Sequence, residues 1–413
     1  MNLDPTQNGY SHSPSFFQRR YAIAAIWNKI LLASTVVGII VLITLLITVI
    51  NQSIGLVAIE YQIDPSLLAD APLENLTSQE LITILQEKLT RYRFRTLDRE
   101  KPLIERSQAD LLELVNEKVV DPKVIASWHL IPSITQRDQI SELVKDKYPN
   151  AILTFRSWLN WDFIARSMSS RPELAGVRIA IKGSIFIVFI AIILALPLGV
   201  GAAIYLEEYA HPSKLINRII QTNIDNLAGV PSIIYGILGL AVFVRALSPI
   251  TSGALFGLES NTSRNILSAG LTMGLLILPM FIINAQEAIR SVPISLRYAS
   301  YSLGATKWQT IRSHVLPSAM TGILTGSILA ISRAFGETAP LIVVGASTFI
   351  TSDPTSPFSG FSALPILIYN WTTRPQDQFR NIAAAAIIVL LISLLTINAF
   401  AIILRNRLSE KRM

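Results

Sequence analysis

Residues 183–206 read GSIFIVFIAIILALPLGVGAAIYL, 24 consecutive positions without one Asp, Glu, Lys or Arg. At 1.5 Å per residue a helix of that length covers about 36 Å, enough for a hydrocarbon core of about 30 Å. Pro197, Gly199 and Gly201 would interrupt a helix in water, but a membrane helix tolerates them where neighbouring helices satisfy the backbone. Working outward, five further apolar runs of spanning length occupy 27–50, 221–247, 266–288, 318–346 and 382–404. None alternates with period two over about ten residues, so the pattern excludes a membrane β-barrel. The expectation is an all-α integral membrane protein with six transmembrane helices.

The remaining composition fits that reading. Of the 413 residues, 51% are hydrophobic and 15% charged, well below the roughly 25% charged of a soluble domain. More than half of the charged residues lie between Asn51 and Lys182, so one block has the composition of a soluble protein and the rest that of membrane segments. The net charge of +7 does not point to nucleic acid, because the basic residues gather at the edges of apolar runs. With no Cys, disulfides, thiolate metal sites and a Cys nucleophile are excluded. His12, His129, His211 and His314 form no metal-binding spacing.

Orientation follows from Lys and Arg beside the spans. With both termini in the cytoplasm, the inner segments carry Arg19, Arg20, Lys29, Lys214, Arg218, Arg290, Arg297, Lys307, Arg312, Arg405, Arg407, Lys411 and Arg412, while the short outer loops carry only Arg245, Arg264, Arg374 and Arg380. The first run is longer than a signal-peptide core and no small-residue cleavage site follows it, which favours an uncleaved anchor. The organisation expected is a cytoplasmic tail 1–26, a first span 27–50, an extracytoplasmic insertion 51–160, and a membrane core 161–404 with spans at 183–206, 221–247, 266–288, 318–346 and 382–404. A cytoplasmic loop 289–317 and a tail 405–413 complete it. The insertion reads as helical, with Thr77-Ser78-Gln79-Glu80 as a capping box and amphipathic stretches at 109–120 and 138–147. It carries no catalytic motif.

Three stretches carry chemistry. In the fifth run, Arg333 and Glu337 stand four residues apart, expected on one helix face near mid-membrane, where a central charge costs roughly 2.5–3.5 kcal/mol. A guanidinium there offers a fork of donors to an oxyanion; the alternative is an ion pair that fixes helix packing. The cytoplasmic loop forms two short helical segments meeting at Gly304, with Tyr301, Leu303, Trp308 and Ile311 as an apolar face. That face suits docking into a partner's groove, or resting in the headgroup layer. Asp225, at the start of the third run, either lines the inner mouth of a path or caps a helix start. No G-x-x-x-x-G-K-[ST] motif occurs, so any ATP driving transport binds on a separate subunit.

At these residues the chain resembles the PstA-type permease subunit of phosphate-specific ABC importers. The loop is similar to the "EAA" loop of importer permeases, with Tyr298-Ala299-Ser300 at the motif's head, Gly304 after it and Leu316-Pro317 at its end. Tyr298 stands where the pattern has Glu, and Ser300 where it has Ala. The segment 330–341 resembles the family's Ala-x-Ala-Arg-x-x-Gly-Glu-Thr-Ala-Pro-Leu, and Gly229-Val230-Pro231-Ser232-Ile233-Ile234-Tyr235-Gly236, Tyr205-Leu206-Glu207-Glu208-Tyr209 and Pro172-Glu173-Leu174-Ala175-Gly176 support it.

The resemblance implies a type I importer permease fold in a bacterial inner membrane, with a path at Arg333, Glu337, Thr338 and Asp225. It implies that Tyr298, Ala299, Ser300, Gly304, Ala305, Thr306, Lys307 and Trp308 couple to the ATPase. The partners implied are a second homologous permease, two ATPase subunits holding ATP and Mg, an extracytoplasmic phosphate-binding protein and membrane lipid, with no nucleic acid. This chain itself is expected to be neither an enzyme nor a cofactor holder. Permeation of sulfate or molybdate, or proton-coupled secondary transport through Glu337, are the alternatives.

Overall fold

The computed structural model describes residues 14–410 apart from 64, 70, 101, 212, 258–261 and 348. Lys411, Arg412 and the first part of the N-terminal tail therefore lie outside the described residues. The chain divides into two compact units, Met1–Asn51 and Gln52–Met413.

The described residues of the first unit form one helix, α1 (Pro14–Ser53). Its aliphatic side chains, from Ile23 to Ile47, are exposed around the helix, as for a helix whose solvent is lipid. The expected tail 1–26 is thus helical from Pro14 onward.

The second unit begins with the insertion. Its elements are β1 (Ile54–Glu60), α2 (Ser78–Lys88), α3 (Arg91–Glu100), α4 (Gln108–Val115), β2 (Lys123–Ser127), α5 (Leu130–Thr135), α6 (Arg137–Lys147), β3 (Ile152–Ser157) and α7 (Trp161–Ala165). The Thr77/Glu80 capping box forms as expected. What the periodicity missed is a three-stranded antiparallel sheet in the order β2-β1-β3. Its central strand pairs Val57 with Thr154 and Ala58 with Ala126. Each strand is a five- to seven-residue run, too short for periodicity to separate strand from helix. Leu81, Leu85, Leu103, Leu111 and Val115 form a separate apolar core beneath α2 and α4.

The membrane part comprises α8 (Arg178–Ile204), α9 (Leu215–Ala228), α10 (Ser232–Gly239), the short α11 (Ser248–Thr251), α12 (Ile266–Arg290), α13 (Ile294–Ser302), α14 (Lys307–Thr310), α15 (Leu316–Gly336), α16 (Ala339–Val344), α17 (Leu364–Thr372) and α18 (Asp377–Glu410). Five helical stretches among the described residues, α1, α8, α12, α14–α15 and α18, are long and apolar enough to span. The sixth candidate is not the single helix expected over 221–247. It is a pair, α9 and α10, bent by 106° at residues 229–231. Pro231 ends the first helix and starts the second, because it lacks the N–H a continuous helix needs and biases Val230 away from helical backbone.

Helix α12 is the hub, and small residues set its closeness to its neighbours. A Cβ on Gly270 would meet Ile190 at 2.6 Å, and one on Gly274 would meet Leu194 at 2.8 Å, both on α8. On the α15 side, Gly326 approaches Asn284 in the same way. In lipid, where burial between helices brings little hydrophobic gain, such backbone approach supplies the packing. Glu173 Oε1 accepts from the Val124 backbone N–H of β2 at 2.9 Å, and Asn381 of α18 donates to Ser127 Oγ at 3.0 Å. These bonds tie the insertion's sheet to the helical core.

Candidate translocation path and coupling loop

Arg333 sits in the last turn of α15, but the helix does not continue to Glu337. It ends at Gly336, and Glu337 has extended backbone at φ −74°, ψ 129°. Pro340 dictates the break: a helix through it would lose the bond from residue 340 to the carbonyl of residue 336 and crowd that carbonyl with the ring. The expected continuous helix face is therefore replaced by a helix end. The two side chains still meet, with Arg333 Nε donating to Glu337 Oε1 at 3.3 Å. Arg333 Nη1 also reaches Met280 Sδ on α12 at 3.4 Å. The Arg333 side chain remains 44% exposed against 19% for Glu337. Among the described residues, two of the five guanidinium donors have partners. Thr338 follows the break and leads into α16 without a side-chain cap.

The bend between α9 and α10 packs against this break. A Cβ on Gly236 of α10 would lie 2.7 Å from Pro340 Cα, so the two backbones touch. The Tyr235 hydroxyl donates to the Leu227 carbonyl at 2.7 Å, bracing the bend from within. Two interrupted helices thus adjoin at a place where irregular backbone is tolerable only if it is buried in protein or lines a polar route.

Asp225 is placed elsewhere. It lies in the last turn of α9, which extends back to Leu215, so it caps no helix start. Gln221 Nε2 donates to Asp225 Oδ1 at 3.0 Å, and Gln221 also pairs with Gln286 of α12. Together with Glu207, Asn217 and Arg290 these side chains line a cavity of about 560 Å³ at the α8, α9 and α12 ends. Neither Arg333 nor Glu337 lines that cavity. The expected set therefore separates into a helix-break cluster and an Asp225 cavity.

The loop after α12 folds as two helices joined by a tight stop. Gly304, at φ +82°, closes α13: its N–H bonds to Tyr301 O at 2.9 Å and that of Ala305 to Ser300 O at 3.2 Å, a pattern that needs left-handed backbone. Thr306 and Gln309 form a capping box at the start of α14. Ser300 Oγ and Thr310 Oγ1 lie 2.8 Å apart in the buried angle between the helices. This explains why a hydroxyl residue suits position 300. Tyr298, Ala299, Lys307 and Trp308 are exposed, and Leu303 is 90% exposed. Ile311 departs from the expectation: it is buried, in a π-helical turn that feeds α15, so it belongs to the core and not to the outer face.

Sequence reasoning assigned no role to Arg297 or to Glu208. Arg297 Nε and Nη2 donate to Glu208 Oε1 at 3.0 and 2.8 Å. Their side chains are only 15% and 6% exposed. The signal available was Glu207-Glu208 at a helix C-terminus, the end that disfavours acids.

With this geometry in hand, comparison with known proteins is direct. Residues 195–412 match the family described as binding-protein-dependent transport system inner membrane component. The chain is 30% identical over 299 residues to the probable ABC transporter permease protein YqgI of Bacillus subtilis, covering 70% of this chain and 95% of that one. It is 36% identical over 255 residues to the phosphate transport system permease protein PstA 1 of Mycobacterium tuberculosis, covering 61% of this chain and 78% of the relative. A solved structure of the MetNI methionine ABC transporter, in inward-facing conformation, aligns with 56% of this chain and 95% of its own at 18% identity and a TM-score of 0.41. The chain belongs to the binding-protein-dependent transport system inner membrane component family, as a PstA-type ABC transporter permease.

Proposed function

We propose that the chain is the membrane permease subunit of an ATP-driven importer of inorganic phosphate, forming half of the translocation path. The observation that carries the reading is the half-exposed Arg333 guanidinium at a broken helix, held among the described residues by Glu337 and Met280. Such a group can meet an oxyanion with its remaining donors. Glu337 aligns it and, being anionic, keeps binding weak enough for release. Relatives named as phosphate transport permeases support phosphate as the cargo. Arg333, Glu337 and Thr338 act at the path and Asp225 at its cytoplasmic mouth.

In this reading a second homologous permease completes the path, and an extracytoplasmic binding protein delivers phosphate. Two ATPase subunits dock on the exposed face of Tyr298, Ala299, Leu303, Lys307 and Trp308, with Ser300, Gly304, Ala305 and Thr306 shaping it. ATP and Mg are held by those subunits. Both termini and the loop 289–317 face the cytoplasm across a bacterial inner membrane, and the insertion 51–160 faces outward. Vesicles containing the chain with its partner subunits should accumulate labelled phosphate on addition of ATP. Arg333→Ala should abolish uptake, and full uptake by that variant would remove the role given to it. Competition by sulfate and molybdate reads the anion preference of the assembled importer.

A further inference from the structure

Loop 291–315 is covalently continuous with α12 and α15, and its movement pulls directly on those two helices. Helix α8 is remote in sequence, yet of three consecutive side chains at its end the first reaches the end of α12 and the next two reach the loop. The chain after Ile204 widens into a π-helical turn, Tyr205–Tyr209, closed by the Ala210 N–H on Tyr205 O at 2.8 Å. π turns inside helices gather at functional sites. From this turn Glu207 takes Arg290, the last residue of α12, with Nε to Oε2 at 3.0 Å. Glu208 takes Arg297 of α13. The Tyr209 ring lies 5.1 Å from the Lys307 ammonium at the start of α14. Being successive residues of a helical turn, the three side chains point to different sides, and each meets a different cation.

Two features argue that this is more than helix packing. Glu207 and Glu208 occupy the helix end that disfavours acids, so local preference has been overridden in favour of the cations. Arg297 makes further bonds: besides Glu208 it donates to Val292 O at 2.7 Å and Ile289 O at 3.0 Å. Those carbonyls belong to the end of α12 and the turn after it, so one guanidinium joins α8, α12 and α13.

We infer that the turn Tyr205–Tyr209 is a second attachment of the coupling loop, and that Glu208 and Arg297 are positioning residues delivering loop movement to α8. The inference rests on the transporter reading above but adds a route that the chain connectivity does not supply. Because α8 packs along α12 at Gly270 and Gly274, moving both together lets the bundle shift without separating that close seam.

The test uses the assembled importer in vesicles and reads phosphate moved per ATP hydrolysed. Glu208→Gln should leave subunit co-purification and ATP hydrolysis in place while phosphate per ATP falls about tenfold, the ordinary scale of coupling between sites. Glu208→Asp, which keeps the carboxylate facing Arg297, should retain most of it. A wild-type ratio in Glu208→Gln overturns the inference. Should Glu208→Gln fail to assemble, Tyr209→Leu decides: its side chain is exposed and meets Lys307 of the loop, so it should assemble, with a roughly two- to threefold lower ratio expected and an unchanged one refuting the attachment. The chain has no Cys, so Tyr205→Cys with Ser302→Cys gives two unique label sites. Their separation should stay constant through the ATP cycle, and spread on adding Glu208→Gln. This reading is independent of the cargo, so a wild-type complex that cycles ATP but moves no phosphate would refute the phosphate assignment alone.

Discussion

Two arginine–glutamate pairs in this molecule differ in nearly every physical respect. Arg297 and Glu208 lie 2.8 Å apart with side chains 15% and 6% exposed, and the guanidinium is further fixed by two backbone carbonyls. Arg333 and Glu337 lie 3.3 Å apart across a helix end, with the arginine 44% exposed. A desolvated pair repays its burial only through close geometry and added hydrogen bonds, which the first has. Among the described residues the second keeps donors uncommitted, as the proposed anion-handling role requires. Burial thus separates a cation enclosed among helices from one left open to solvent, although both sit beside a glutamate.

The largest expected effects follow from removing one member of each pair. Arg333→Ala should reduce ATP-driven phosphate uptake to background while leaving the thermal midpoint of the purified chain within about 2 °C of the parent, as for a substitution away from the core. Glu208→Ala should do the reverse in stability, because it leaves Arg297 buried and unpaired. A cost of about 3–5 kcal/mol is expected, read as a marked drop in the thermal midpoint. Comparable destabilisation by the two variants would erase the contrast between them.

Much of this was legible in the residues. The spans follow from hydropathy, and Arg333, Glu337 and Gly304 stand out because charges and special backbone are costly where they lie. What was not legible has identifiable causes. The break after Gly336 is encoded by Pro340, but four residues downstream and inside an apolar run that also reads as continuous helix. The bend at Pro231 is hidden in the same way, since membrane helices often tolerate proline. The sheet escaped notice because residues 54–60, 123–127 and 152–157 are short and far apart, and pairing at such separation leaves no local period. Ile311 looked like part of an exposed face because spacing cannot reveal a π-helical turn that rotates it inward.

Smaller effects test the supports of each pair. Gly236→Val would place a branched side chain against Pro340 Cα, where even a Cβ comes to 2.7 Å. Overpacking of this kind costs about 1–3 kcal/mol, and because it displaces the break, phosphate uptake should fall more than stability does. A Gly236→Val protein with normal uptake would detach the Arg333 cluster from the α10 bend. At the loop, Gly304→Ala forces a Cβ into left-handed backbone at φ +82°, a strain of about 1–2 kcal/mol. Nothing lies within 4 Å of that Cβ, so the whole effect should be backbone strain. Gly304→Asn, which tolerates that region better, should recover part of the lost thermal midpoint.

A third set of charges, at the other end of α8, gives the smallest effect and sharpens the comparison. Asp353 lies in the segment after α16, with Arg178 Nε at 3.1 Å and Lys182 Nζ at 2.7 Å. Burial alone would raise its carboxyl pKa, but the hydrogen bond from Lys182 and the charges of Arg178 and Lys182 outweigh it and hold the group below its ordinary 3.8. A depressed folded value contributes stability that is present above the unfolded pKa and is lost as pH falls through the folded one. Neutral conditions should therefore show no titration here, and amide exchange in residues 345–363 should quicken only on acidification below about pH 4. The side chains are 32–45% exposed, so water screens the pair and the change should be slight. Asp353→Asn should remove this acid step and leave the rest of the pH profile intact. An acid step of equal size in that variant would assign it to another carboxylate, and would leave α8 anchored by charge only at its Glu207 and Glu208 end.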